Sequence, residues 1–135
     1  MKVNPYLFFN GNCEEAMKFY ARVTGGTINA MMPHAGTPAE AHVPPEAKNK
    51  IMHANMTIGD TVLMASDAVM GHYEKPHGFS VSLQLKDVAE GERIFNALAD
   101  SGKVNMPYQK TFWSAGFGML VDRYDIPWMI NCDQP

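Results

Sequence analysis

The chain has 135 residues, a formal charge of −3 and 46% hydrophobic side chains, which suits a single domain over 1–135 that buries roughly two-thirds of its unfolded surface unaided. Its charges are scattered, so no basic stripe is available to grip nucleic acid, no apolar run nears the ~18 residues of a membrane span, and the N-terminus lacks a signal-peptide pattern. Cys13 and Cys132 stand far apart outside any CxxC spacing, which argues against a disulfide framework or a thiolate zinc site and for a reducing, cytoplasmic setting.

Taken in order, Asn4 to Phe9 is short and aromatic and predicts a strand. Asn12 follows as an N-cap, with Glu15 placed to reach back to it, and Ala16, Phe19, Tyr20 and Val23 form a helical stripe that Gly25-Gly26 ends. Strands are expected at Gly26–Met32, Ile51–Ile58 and Thr61–Asp67, the last two joined by a tight turn at Gly59-Asp60. The stretch from His34 to Lys50 contains Pro38, Pro44 and Pro45 and no apolar period, which reads as a mobile loop.

The second half repeats this order. Phe79 to Leu85 alternates as a strand, Asp87 caps a helix with the inner stripe Gly91, Ile94, Phe95 and Leu98, and Gly102 ends it. Strands follow at Lys103–Met106, Phe117–Val121 and Ile126–Cys132, the last two around Asp122-Arg123-Tyr124-Asp125. The two caps and the two stripes match at a uniform offset of 75 residues, which argues for a duplicated unit, the first over about 1–70 and the second over about 77–135.

Several strings make the resemblance specific: Pro5-Tyr6-Leu7-Phe8-Phe9, Glu15-Ala16-Met17-Lys18-Phe19-Tyr20, Met52-His53-Ala54, Leu63-Met64-Ala65-Ser66-Asp67, Thr111-Phe112-Trp113 and Trp128-Met129-Ile130-Asn131. With two β-α-β-β-β units they resemble the PhnB-like branch of the vicinal-oxygen-chelate superfamily (the glyoxalase and bleomycin-resistance architecture). The resemblance implies an α+β fold with two βαβββ units, a cupped mixed β-sheet and helices outside. It also implies a homodimer, for which the edges of such a sheet give a physical motive.

Strand alternation selects the side chains that face the cup. Pairing around the Gly59-Asp60 turn puts His53 opposite Ser66 and Asn55 opposite Met64, while Ala54, Met56, Leu63 and Ala65 face a helix. In the second unit Ser80, Ser82 and Gln84 share one face of their strand, as do Pro127, Met129 and Asn131 of the last. The offset of 75 carries Ser80, Ser82 and Gln84 onto Pro5, Leu7 and Phe9. Metal-dependent relatives hold four ligands on these inner faces, and the resemblance places Pro5, Met64, Ser80 and Met129 there. None is a good donor for a hard divalent metal, so no metal and no cofactor is expected.

The candidate ligand-binding residues are therefore His53, Asn55, Met64, Ser66, Ser80, Ser82, Trp113, Met129 and Asn131. His53 is also the candidate acid/base, against a structural histidine bonded to Ser66 or backbone. Trp113 is either a rim for the cup or core packing, and Trp128 is core. Asp67 is expected to cap the turn after its strand. His34, His42, His72 and His77 fall in loops or at strand edges. The 11 methionines can fill gaps or line a soft cavity.

PhnB-like domains are associated by name with a ubiquinone-pathway methyltransferase, yet no Gly-rich turn follows a first strand here, as a common adenosylmethionine-binding sheet needs. Two functions follow: metal-free binding of an unidentified small molecule, or an enzyme that uses His53 or a metal at non-standard positions.

Overall fold

A computed structural model describes residues 1–134 and divides the chain into two compact units, Met1–Glu74 and a second from Lys75 onward. The first contains strands Tyr6–Phe9 (β1), Thr27–Pro33 (β2), Ile51–Ile58 (β3) and Thr61–Asp67 (β4), with helix Cys13–Thr24 (α1) after β1. The second contains Val81–Leu85 (β5), Lys103–Gln109 (β6), Gly116–Val121 (β7) and Pro127–Cys132 (β8), with helix Val88–Ala99 (α2) after β5. The sheets are ordered β1-β4-β3-β2 and β5-β8-β7-β6. In each, the first and last strands pair in parallel and the other neighbours are antiparallel. The α+β class and the two βαβββ units are as the sequence implies.

Apolar alternation explains which face each helix covers. In the first unit Leu7, Phe9, Ala54, Met56, Leu63 and Ala65 are buried with Ala16, Met17, Phe19, Tyr20 and Val23 of α1. Burying a Leu or Met fully contributes about 1.5–3 kcal/mol. In the second unit Leu120, Trp128, Ile130 and Cys132 are buried with Ile94, Phe95 and Leu98. Glycines allow the close approach: a Cβ on Gly91 would lie 2.6 Å from the Tyr108 hydroxyl and 2.7 Å from Cys132 Sγ.

The helices are 12 residues each and keep the offset of 75, but the strands before them do not. Asn10, Gly11 and Asn12 join β1 to α1, whereas only Lys86 and Asp87 join β5 to α2. Gly11 takes a positive φ of 91°, which suits glycine in the longer link. The extra residue shifts β1 by one position, and a one-residue slip turns every side chain over. Leu7 and Phe9, expected on the cup side, are buried towards α1, and the open side carries Tyr6 and Phe8. Pro5 and Ser80 both precede their strands.

Other boundaries differ locally. Asn12 occupies the N-cap position of α1 but its side chain makes no capping hydrogen bond. After α2 the left-handed residue is Ser101, with φ of 62°. Gly102 instead lies where a Cβ would strike the Val121 carbonyl. The expected mobile loop of 34–50 folds into two 3-10 turns, Pro38–His42 and Pro45–Ala47. Its base is closed by the His34 amide donating to the Lys50 carbonyl (3.1 Å) and the Ala35 amide to the Lys48 carbonyl (2.7 Å). Among the described residues, no helix is long and apolar enough to cross a membrane.

Candidate functional site

Each sheet turns one face to its helix and leaves the other open, and the open faces hold the candidate residues. In the first unit the register sets Tyr6 beside Met64 and Phe8 beside Ser66. Asn55 pairs with Met64 on one side and Ala30 on the other, and His53 pairs with Met32. Cross-strand partners share a face, so His53, Asn55, Met64 and Ser66 lie together, joined by Tyr6 and Phe8. The β3–β4 register follows the expected turn from Ile58↔Thr61 to Ala54↔Ala65.

His53 finds its partner in Tyr6. The phenol oxygen lies 3.2 Å from Nδ1 and the ring centroids are 5.8 Å apart. A phenol donating to Nδ1 leaves the ring proton on Nε2, the nitrogen facing away from the bond. Tyr6 also packs against Phe8, with centroids 5.1 Å apart. Tyr6 was missed in the sequence because the offset of 75 set it on the helix side.

Asp67 does not cap the following turn. Its Oδ1 accepts from the Cys13 amide (2.9 Å) and its Oδ2 from the Ile51 amide (2.8 Å), so one carboxylate fastens the start of α1 to the start of β3. Cys13 is buried, and burial, then the charges of Asp67 and Glu14, push its thiol from the ordinary 9.0 up to about 12. A thiol kept protonated in this way is a poor nucleophile.

In the second unit Ser82 pairs with Met129 and Gln84 with Asn131, while Met119 and Phe117 flank Met129 and Asn131 from the other side. Ser82, Met129 and Asn131 therefore share the open face; Ser80 lies ahead of the strand. Trp113 stands at the rim, half exposed, with its ring centroid 5.5 Å from that of Phe117. Its loop is tied in place: the Trp113 and Ser114 amides donate to Thr111 Oγ1, and the Ser114 hydroxyl lies 2.7 Å from both the Gly116 and the Cys132 carbonyls.

Asp122 reads in the sequence only as part of the turn before the last strand. This buried carboxylate accepts from the Tyr124 and Ile126 amides (2.8 and 3.0 Å) and from the indole Nε1 of Trp128 (2.8 Å), which builds the β7–β8 turn. Tyr108 donates to the Val88 carbonyl (2.8 Å) and touches Cys132 Sγ (3.2 Å). Burial, and then that contact, raise its hydroxyl above the usual tyrosine range. Both residues serve packing.

Of the four positions expected to carry metal ligands, Pro5, Met64, Ser80 and Met129, only Met64 and Met129 fall within strands. Pro5 and Ser80 lie ahead of their strands, and the strand residues paired in parallel with Met64 and Met129 are Tyr6 and Ser82. A phenol, a hydroxyl and two thioethers do not fit a hard divalent metal, which takes imidazole and carboxylate donors. Among the described residues, no three His, Cys, Asp or Glu side chains gather as a metal-holding group.

Duplicated βαβββ units, each with an open face of aromatic, thioether and amide groups, define a distinct class of small α+β protein. The chain belongs to the family whose model is described as 3-demethylubiquinone-9 3-methyltransferase, which matches residues 1–131. It is 36% identical over 139 aligned positions to Protein YjdN of Escherichia coli (strain K12), covering 97% of this chain and 95% of that one. The crystal structure of protein PA1353 from Pseudomonas aeruginosa is 47% identical, with a TM-score of 0.91 over 100% of this chain and 99% of that one. A PhnB protein from Bacillus cereus, 24% identical with a TM-score of 0.81 over 98% of this chain and 99% of that one, shares the fold.

Proposed function

We propose that this PhnB-like protein is a vicinal-oxygen-chelate-type domain over 1–135 that binds a small molecule on its open sheet faces without a metal, as a cytoplasmic homodimer. The observation that carries this reading is the chemistry of the paired open-face side chains, Tyr6 beside Met64 and Ser82 beside Met129, none of which is a hard-metal donor. The same faces offer what a small ligand needs: apolar and aromatic surface with a few polar groups for orientation, here His53, Asn55, Ser66 and Asn131. Open strand edges at both sides of each sheet give a motive for pairing.

Methyl transfer, which the family description names, finds no support in the sheets. Among the described residues only β1–β4 and β5–β8 are parallel, whereas a doubly wound nucleotide-binding sheet is mostly parallel with a Gly-rich first turn.

A second reading, an enzyme with His53 as acid/base, is favoured by one contact, the Tyr6 hydroxyl at His53 Nδ1. A phenol can orient a ring whose other nitrogen exchanges a proton with substrate.

The test is elemental analysis of protein purified without chelator and then incubated with zinc, nickel and manganese, followed by a thermal-shift screen of small molecules. The expected result is no stoichiometric metal, and ligands whose stabilisation His53→Ala alters while the apo fold is kept. One tight metal per chain would overturn the reading, and unfolding by His53→Ala with binding unchanged would make His53 structural.

A further inference from the structure

On the open face of the second sheet, three polar side chains are linked in one direction. Asn131 Nδ2 donates to Gln84 Oε1 (2.8 Å), and Gln84 Nε2 donates to Ser82 Oγ (2.8 Å). Every amide proton used in this chain points away from Asn131, so its remaining atom, Oδ1, is an acceptor. That oxygen is buried, and among the described residues it is the one buried side-chain polar atom without a hydrogen-bond partner. Leaving such a group unpaired is costly, and each such atom in a folded protein calls for an explanation.

Its neighbours suggest one. Phe117 pairs with Asn131 across the β7–β8 ladder and is itself 7% exposed. Trp113 stands edge-on to Phe117, 50% exposed, on the loop fixed by Thr111 and Ser114. An aromatic wall thus borders an unpaired acceptor, and Gln84 beside it is exposed and unbranched. Swinging Gln84 into water gives up two exposed hydrogen bonds, from Asn131 Nδ2 and to Ser82 Oγ, and uncovers one side of the Asn131 amide.

The geometry points to Asn131 Oδ1 as the recognition atom for a flat, uncharged heteroaromatic ligand that carries an N–H on its edge. The ring lies along Trp113 and Phe117, and the N–H donates to the acceptor that the resting protein leaves unmatched. Flat rings gain from offset or edge contacts with such a wall. The N–H supplies selectivity, because a ring without it leaves the acceptor unpaired in the complex as well. This inference rests on the metal-free binding reading above and assigns it a ligand class.

The test uses the full chain labelled with nitrogen-15, in which the two indole N–H signals belong to Trp113 and Trp128. Trp128 is buried and bonded to Asp122, so its signal serves as an internal control. Indole and benzofuran are the probes, because they share a shape and differ in the edge N–H. Indole is expected to move the Trp113 signal saturably, with benzofuran about tenfold weaker. Asn131→Leu is expected to abolish that preference and to melt no lower than the parent, since it removes the unpaired oxygen; Asn131→Ala makes the same comparison if leucine disturbs packing. Equal binding of the two probes, or a preference that survives both substitutions, overturns the inference and leaves metal-free binding standing. A Trp113 signal unmoved by either probe also overturns it, while the metal analysis and ligand screen decide the broader reading separately.

Discussion

At the start of α1 the Cys13 amide is held by Asp67, 54 residues away along the chain. At the start of α2 the amides of Ala89 and Glu90 are held by Asp87, the residue at the cap itself (3.0 and 3.2 Å). The two units share topology, helix length and sheet order, yet one closes its helix from a neighbouring strand and the other from within. A local cap stabilises one helix end. The remote carboxylate does more, because its second oxygen holds the Ile51 amide and so joins helix, β3 and β4.

That difference predicts a graded response. Asp67→Ala strands two part-buried amides and is expected to lose about 2–3 kcal/mol in urea unfolding; a loss below about 1 kcal/mol would reduce the clamp to an ordinary cap. Asp87→Ala is expected to lose about 1 kcal/mol, the usual value of an N-cap. A loss as large as that of Asp67→Ala would erase the distinction between the units. Asn12→Ala, at the cap position that Asp67 serves in its place, is expected to stay within about 0.5 kcal/mol of the parent. A deficit twice that size would show Asn12 to be the working cap.

The same contrast explains what could be read from the sequence. Asp87 announces its role by its place two and three residues before the amides it holds, and the Gly59-Asp60 turn fixes the β3–β4 register by local chemistry alone. Asp67 and Asp122 do not, because their partners are set by how strands and helix come together. Asp67 was expected to cap a turn, and Asp122 drew no expectation beyond its turn. In the candidate site, His53, Asn55, Met64 and Ser66 share a face because β3 and β4 alternate regularly. A uniform offset of 75 puts Tyr6 and Phe8 on the helix face, and the longer 10–12 link breaks that offset. The unpaired oxygen of Asn131 is a matter of three-dimensional partners, and no spacing in the sequence signals it.

The extra residue at Gly11 has a wider consequence. Two copies of one unit can look alike element by element and still be out of phase by half a pleat, like gears meshed one tooth apart. Here that dislocation exchanges the chemistry shown to a solute. One open face begins with Tyr6 and Phe8, its twin with Ser82 and Gln84. A duplicated chain can therefore acquire two unlike surfaces by changing the length of one linker, with the strands themselves still reading as good strands. Shortening the 10–12 link by one residue would set the aromatic rings of β1 against α1 and turn Leu7 and Phe9 outward, so linker length decides which surface this half of the protein displays.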